Sequence, residues 1–269
     1  MQALWNNPIF YKSRILERRE YQRSKSSFWV KQMGLVWCVL VPLAWVAFMA
    51  FPEIMDSVAS QADFVRLRKA LDHLAQMWMT ALTFSYFIVL LVAIAIALNG
   101  TSSLVTGERE KKTFESLQAT MLTPSEIVGG RLLTGLWPVM RELLIVAPLG
   151  LALGTLAGFG FQALMGVLLL FSTIGFYGAV GLWCSYCSKN TQFANRMASG
   201  LAGSLLVGVP LFSMLFDQEA LLRFHPVFAS AYLTTEGFGP VISVTAFHLI
   251  GATLLYLDTL RRERSAVRI

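Results

Sequence analysis

The sequence predicts an all-α polytopic membrane protein with six transmembrane helices. Of its 269 residues, 55% are hydrophobic and 14% are charged, so a water-soluble domain would lack the polar surface needed to cover itself. A helix needs about 20 mostly apolar residues to cross a hydrocarbon core about 30 Å thick, whereas barrel strands are about half that length and alternate in polarity. Six windows meet the helical requirement, near residues 28–51, 77–99, 134–157, 162–185, 197–216 and 240–260.

The first window is predicted to remain in the membrane as a span. It starts near Phe28, follows a basic stretch and is too long for the apolar region of a cleavable signal. The predicted organisation is a single permease-like membrane domain over residues 1–269. It comprises a cytosolic interfacial arm (1–27), a six-span region (28–260) and a cytosolic tail (261–269).

The distribution of lysine and arginine predicts the orientation. With both termini in the cytosol, seventeen of the 22 basic residues lie on the cytosolic side, four lie on the opposite side, and Arg141 falls within a span. This is the asymmetry of a multi-pass protein of a cell membrane, such as a bacterial inner membrane or a plasma membrane. The net charge of +6 is explained by this signal, so no nucleic-acid partner is predicted.

The N-terminal arm has the composition of an amphipathic helix lying on the inner membrane surface. Asn7-Pro8 suits a helix start, and apolar residues alternate with basic ones after it. The residues predicted to hold the arm at anionic lipid headgroups are Pro8, Arg14, Arg18 and Arg19. The alternative is an ordinary basic flank that only sets the topology.

Two segments are predicted on the external side. Residues 52–76 carry apolar residues at helical spacing, which predicts a short amphipathic helix that caps the bundle or shapes an external gate. Residues 217–239 are too polar for a span. Because Pro226 should interrupt any helix there, the segment is predicted to form two short helices that re-enter the membrane.

The segment between the second and third spans is long and strongly charged. Over residues 108–121, apolar residues fall on one helical stripe and three glutamates precede most of it, which predicts a helix of roughly 20 Å. Thr123-Pro124-Ser125-Glu126 matches a capping box with proline at the first helical position, so a second helix is predicted to start there. Arg131 would lead that helix into the third span.

This order of elements resembles the membrane subunits of type-2 ABC exporters. Their loop typically reads E-x-E-x-x-T-x-x-x-L, then T-P-x-x, then a glycine and a basic residue. The matching positions here are Glu108, Glu110, Thr113, Leu117, Thr123, Pro124, Gly130 and Arg131. Residues 104–157 resemble the family closely and the rest of the chain resembles it loosely.

The resemblance implies that the loop is a coupling helix that docks on a separate ATPase subunit, and that residues 8–25 form the family's connecting helix. It also implies a second permease copy or a related permease, two ATPase subunits, and ATP with magnesium bound by those subunits and not by this chain. The residues implied to couple to the ATPase are Glu108, Glu110, Thr113, Phe114, Leu117, Thr123 and Pro124.

The chain is not predicted to be an enzyme by itself. It has no G-x-x-x-x-G-K-[ST] phosphate loop and no cytosolic segment large enough for a nucleotide-binding domain. The expected function is therefore the membrane subunit of an ATP-driven exporter. The alternatives are a scaffold or sensor that contacts an ABC ATPase without moving a solute and, with the least support, an intramembrane enzyme.

Several polar residues fall inside or beside the spans. Arg141 and Glu142, about two turns from the cytosolic edge of the third span, suit either an anchor or structural ion pair or a gating contact. Asp258 is predicted to pair with neighbouring arginines at the end of the last helix. The isolated histidines and the Cys184–Cys187 pair are interpreted as structural groups, so no metal site is predicted. Glycine runs at 175–181 and 200–208 suit close approach and sliding of helices, or simple packing.

Overall fold

The protein is all-helical over the residues described by the computed structural model, which are 64–114, 122–156, 158–216, 219–222, 225–232 and 238–267, together with residue 44. The interfacial arm, the window at 28–51 and most of the external segment that follows it lie outside these residues. Five of the helical stretches are long and apolar enough to span a membrane. The all-α, multi-span prediction is confirmed to that extent, and the sixth span stays a prediction.

The helices follow one another with short connections. They are α1 (Phe64–Ser102), α2 (Leu104–Glu110), α3 (Pro124–Leu156), α4 (Gly160–Cys187), α5 (Thr191–Gly203), a π-helical turn (Ser204–Gly208), α6 (Val209–Phe216), α7 (Glu219–Leu222), α8 (Pro226–Tyr232) and α9 (Gly239–Val267). α5, the π-helical turn and α6 together make one span, Thr191–Phe216. We call the end where α4 and α9 finish and α3 and α5 start the loop end, and the other the opposite end.

Two helices extend beyond the predicted spans. α1 starts at Phe64 and runs for 39 residues, so the prediction of a separate short helix within residues 52–76 is wrong. No glycine or proline lies between Phe64 and the apolar part of α1, and nothing there would end a helix. α9 likewise continues to Val267, so residues 261–267 are helical and not a separate tail.

α4 lies at the centre of the bundle and packs against α1, α3, α5 and α9. Its sequence permits this because glycines face its neighbours. A Cβ on Gly178 would meet the Leu136 side chain, and one on Gly181 would meet Thr101 and, at 3.1 Å, the Leu98 carbonyl oxygen. The run at 175–181 therefore allows close helix approach, whereas Gly200 and Gly203 have open space around them.

Glycine has a different use between α3 and α4. Gly158 adopts φ +82°, a left-handed conformation that costs a glycine little. Its amide donates to the Thr155 carbonyl at 3.0 Å, which closes the C-terminus of α3. The chain can then reverse at once into α4.

The opposite end contains the two short helices predicted for residues 217–239. Pro226 is the first residue of α8, where its missing amide costs no hydrogen bond. The preceding His225 is buried, and its Nε2 lies 3.1 Å from the Leu206 carbonyl oxygen in the π-helical turn. The connection between α7 and α8 is thereby fixed to an irregular part of the neighbouring span.

Candidate functional site at the loop end

The charged segment begins as a short helix and not as the predicted rod. α2 starts at Leu104 and ends at Glu110, and the backbone then turns through Lys111 and Lys112, with Lys112 in the left-handed region at φ 55°. The prediction of a continuous helix over residues 108–121 is therefore wrong. It relied on the helix dipole, but Glu108 and Glu110 lie at the C-terminus of α2, and both accept hydrogen bonds from other helices.

Arg131 lies at the centre of a buried polar cluster, which we call the Arg131 cluster and which also contains Glu108, Tyr186 and Glu263. Its Nη2 is 2.7 Å from Glu108 Oε2, and its Nη1 is 2.9 Å from Glu263 Oε2. Nη1 also donates to the Tyr186 hydroxyl, which in turn donates to Glu263 Oε2 at 2.6 Å. One guanidinium thus joins α2, α3, α4 and α9.

An aromatic ring covers one side of this cluster. The guanidinium carbons of Arg109 and Arg131 each lie 5.1 Å from the centroid of the Phe114 ring, which is a favourable cation–π distance. Arg109 also donates from Nη1 to the Ser188 carbonyl oxygen at 3.0 Å. Phe114 is therefore a half-buried cover over two arginines, and it belongs to the loop that the motif singled out.

A second set of hydrogen bonds ties α2 to the connection between α4 and α5. The Thr191 amide, at the start of α5, donates to Glu110 Oε1 at 2.8 Å. Ser185 Oγ accepts from the amides of Val105 and Thr106 at 3.0 and 3.2 Å. These contacts satisfy amides at helix starts that have no intrahelical partner.

The start of α3 has the predicted chemistry. The Thr123 amide and hydroxyl each lie 2.8 Å from Glu126 Oε2, the Glu126 amide lies 3.4 Å from Thr123 Oγ1, and Pro124 is the first helical residue. This is the reciprocal capping box expected from the sequence. The corner between the loop and α3 is therefore well defined.

The motif residues divide into three groups. Glu108, Phe114 and Arg131 come together in or over the buried cluster, while Glu110 contacts the start of α5. Thr113 is exposed, with its hydroxyl 3.3 Å from the Glu108 carbonyl oxygen. Leu117 lies outside the described residues, as do Pro8, Arg14, Arg18 and Arg19 of the arm.

Sequence reasoning missed Glu263 and Tyr186. Glu263 was hidden among three arginines in a segment taken for a charged tail, yet it is 0% exposed. The signal that could have found it is its spacing from Tyr256 and Leu260, which places all three on one face of a helix. Both of those residues pack against the apolar cluster of Val105, Val128, Leu182 and Tyr186.

Arg141 and Glu142 lie far from this site. They follow the first residue of α3 by 17 and 18 positions, which corresponds to roughly 25 Å along the helix axis. The prediction that they lie about two turns from the cytosolic edge is therefore wrong, because α3 starts at Pro124, ten residues before the predicted span. Glu142 is buried and Arg141 is half-buried.

The other polar residues at the loop end are structural in their contacts. Asp258 pairs with Arg262 at 2.8 Å, as expected, and also accepts from Trp183 Nε1 at 2.8 Å. Cys184 and Cys187 are free, and Cys184 is fully buried. Across the described part of the chain, no three histidine, cysteine or acidic side chains converge to hold a metal ion.

Comparison with known proteins gave no match to a family model, to a characterised protein or to a solved structure.

Proposed function

We propose that this chain is the membrane-spanning subunit of an ATP-driven exporter of the type-2 ABC class. The observation that carries the proposal is that four residues of the loop motif, Glu108, Thr123, Pro124 and Arg131, occupy defined positions at one end of the bundle. Glu108 and Arg131 form a buried ion pair, and Thr123 and Pro124 start α3. A force applied to this loop would reach the spans directly.

In this proposal the loop end faces the cytosol. The basic residues near it, among them Lys111, Lys112, Lys189 and Arg262, agree with the positive-inside rule. Both chain termini would then be cytosolic. The protein would reside in a cell membrane, the bacterial inner membrane or the plasma membrane.

The ATPase subunit would bind the outer surface of the loop. Glu110, Lys111, Lys112 and Thr113 are all exposed and adjacent, so they form the accessible part of the motif. Glu108 has a different role, because its carboxylate is directed to Arg131 within the bundle. Closure of two ATPase subunits around ATP and magnesium would move α2 and α3, while this chain would hydrolyse nothing itself.

A second permease would complete the substrate path. α6 and the middle of α9 expose large apolar side chains, including Met214, Leu215, Ile250 and Leu254. Lipid tails or another permease, identical or related, would cover these faces in the membrane. Docking and ATP-driven closure would shift the two permeases and release the substrate outward.

The proposal is tested by reconstituting the chain with the ATPase encoded beside its gene and measuring ATPase binding, ATP hydrolysis and vesicle transport. We expect Thr113→Val and Glu110→Gln each to weaken ATPase binding by about fivefold, the effect of roughly one lost hydrogen bond. Thr155→Val is the matched control for Thr113, since it is also an exposed threonine bonded to a backbone carbonyl, at the opposite end.

Three outcomes separate the hypotheses. Failure of the ATPase to bind the wild-type chain would overturn the proposal. Normal binding by both loop variants would show that the contact surface is assigned wrongly. Hydrolysis without transport of any lipid, peptide or drug in a broad panel would favour the scaffold or sensor hypothesis.

A further inference from the structure

The two ion pairs of the Arg131 cluster differ in their access to water. The side chains of Arg131 and Glu263 are 1% and 0% exposed, whereas that of Glu108 is 20% exposed. Glu108 also belongs to a short helix followed by a left-handed turn, while Glu263 belongs to a long helix packed against α4. The Glu108 contact is therefore the one that can open at low cost.

Opening that contact leaves no buried charge without a counter-ion. Arg131 would keep Glu263 and the Tyr186 hydroxyl, and Glu108 would move into water, where a carboxylate is well solvated. In the closed arrangement, Arg131 Nε and Glu263 Oε1 are buried and lack a hydrogen-bond partner among the described residues. One spare donor and one spare acceptor allow this pair to tighten when Glu108 leaves.

The reverse separation would be far less favourable. If Arg131 left Glu263, a fully buried carboxylate would keep only the phenol as a partner, and a buried charge without its counter-ion is strongly destabilising. The cluster therefore has two accessible arrangements, with Glu108 bound or released, and one fixed pair. An element with two discrete arrangements is what transmission of a conformational signal requires.

We infer that Arg131 is a positioning residue that latches the loop to the last helix through a releasable ion pair with Glu108 and a permanent one with Glu263. The inference rests on the proposed function, in which an ATPase moves the loop. With the latch closed, motion of α2 is passed to α9 and to the end of α4. With it open, the loop moves without them.

Amide hydrogen exchange on the isolated chain in lipid nanodiscs tests the latch without an ATPase. Glu108→Gln removes the charge, and Arg131→Lys keeps the charge but loses the fork that reaches two carboxylates at once. In both variants we expect the amides of residues 107–113 to exchange about tenfold faster, since a charge-assisted bond is lost. Residues 256–267 should stay protected in Glu108→Gln.

The matched control is Arg262→Lys, which alters an exposed ion pair within α9 and should leave exchange at 107–113 unchanged. Unchanged exchange at 107–113 in Glu108→Gln would overturn the latch. Equal acceleration by Arg262→Lys would do the same, because a general loosening of the loop end would then explain the effect. Glu108→Gln decides the question alone if Arg131→Lys does not fold.

A second arm adds the ATPase and a nonhydrolysable ATP analogue. In the wild type we expect exchange to change at both 107–113 and 256–267, and in Arg131→Lys at 107–113 only. A wild-type change confined to the loop would overturn the latch while leaving the proposed function intact. Absence of ATPase binding would overturn the proposed function, and the first arm would still decide whether the latch exists.

Discussion

The two ends of the bundle are held together by different chemistry. At the loop end, one guanidinium bonds to side chains from three other helices, and two of these residues, like Arg131 itself, are almost fully buried. At the opposite end the described contacts are mostly apolar. They include an edge-to-face pair of Phe161 and Phe238 at 4.5 Å and one side-chain bond to the backbone of the π-helical turn, from His225.

This difference matters because charged hydrogen bonds are directional and apolar contacts are not. A bidentate arginine fixes distance and angle between the helices it joins, so the loop end moves in discrete steps or not at all. Apolar faces can slide at small cost, and a π-helical turn is often found where a helix must adapt. The comparison assigns rigid connection to the loop end and adjustability to the opposite end.

The largest expected effect comes from breaking the Arg131 cluster. Arg131→Met should destabilise the protein by about 3–5 kcal/mol, because it leaves Glu263 buried without a counter-ion. Thermal unfolding in detergent, followed by intrinsic fluorescence, measures this. Adding Glu263→Met to Arg131→Met should recover much of the loss, and a double variant no more stable than the single one would argue against the buried charge as its cause.

A smaller effect is expected from filling the close helix contact in the middle of the bundle. Gly181→Ala places a Cβ against Thr101 and the Leu98 carbonyl of α1, so it should cost about 1–3 kcal/mol through overpacking. Gly200→Ala is the control: nothing lies within 4 Å of its Cβ position, and the added methyl should stabilise the helix by up to about 1 kcal/mol. Equal effects of the two substitutions in the same unfolding assay would contradict the packing described for α4.

The contrast between the two glycine runs shows how far the sequence could go. Hydropathy predicted the five spans, and local rules predicted the capping box at Thr123 and the helix start at Pro226, since each depends on neighbouring residues only. Which glycine run packs against a neighbour depends on the partner helix. Both runs look alike in the sequence, and only the one at 175–181 contacts another helix closely.

The same limit explains the errors at the site. Glu108 and Arg131 were both singled out, yet their pairing and their link to Glu263 are long-range contacts that spacing cannot reveal. The predicted rod failed because long-range partners outweighed the helix dipole, a smaller effect. Glu263 was missed because its charge was counted while its helical face was not considered.

At the opposite end, acidification should loosen the contact with the π-helical turn. Burial lowers the pKa of His225 below its ordinary value, so the unfolded chain binds this proton more readily than the folded one. The contribution of His225 to stability is therefore fully present above the ordinary pKa of histidine, about 6.5, and decreases as the pH falls below it. Unfolding midpoints at pH 7.5 and 5.5 measure the effect.

His225→Phe is the matched variant for this prediction. It should cost about 1 kcal/mol at pH 7.5 for the lost hydrogen bond to Leu206, and its stability should depend less on pH than that of the wild type. A variant with the same pH dependence as the wild type would show that another group titrates. The loop end should respond little to this substitution, so hydrogen exchange at 107–113 is the internal reference.

The smallest effect is expected at the exposed ion pair of α9, which sharpens the comparison because it lies one residue from Glu263. Arg262 and Asp258 are 45% and 40% exposed, so water competes with their contact, and Arg262→Ala should cost no more than about 0.5 kcal/mol. That cost should shrink further in 1 M salt, where the screening length is about 3 Å. If Arg262→Ala instead approached the cost of Arg131→Met, burial would not be what distinguishes the two pairs. The Arg131 cluster would then be one contact among many at a generally polar end.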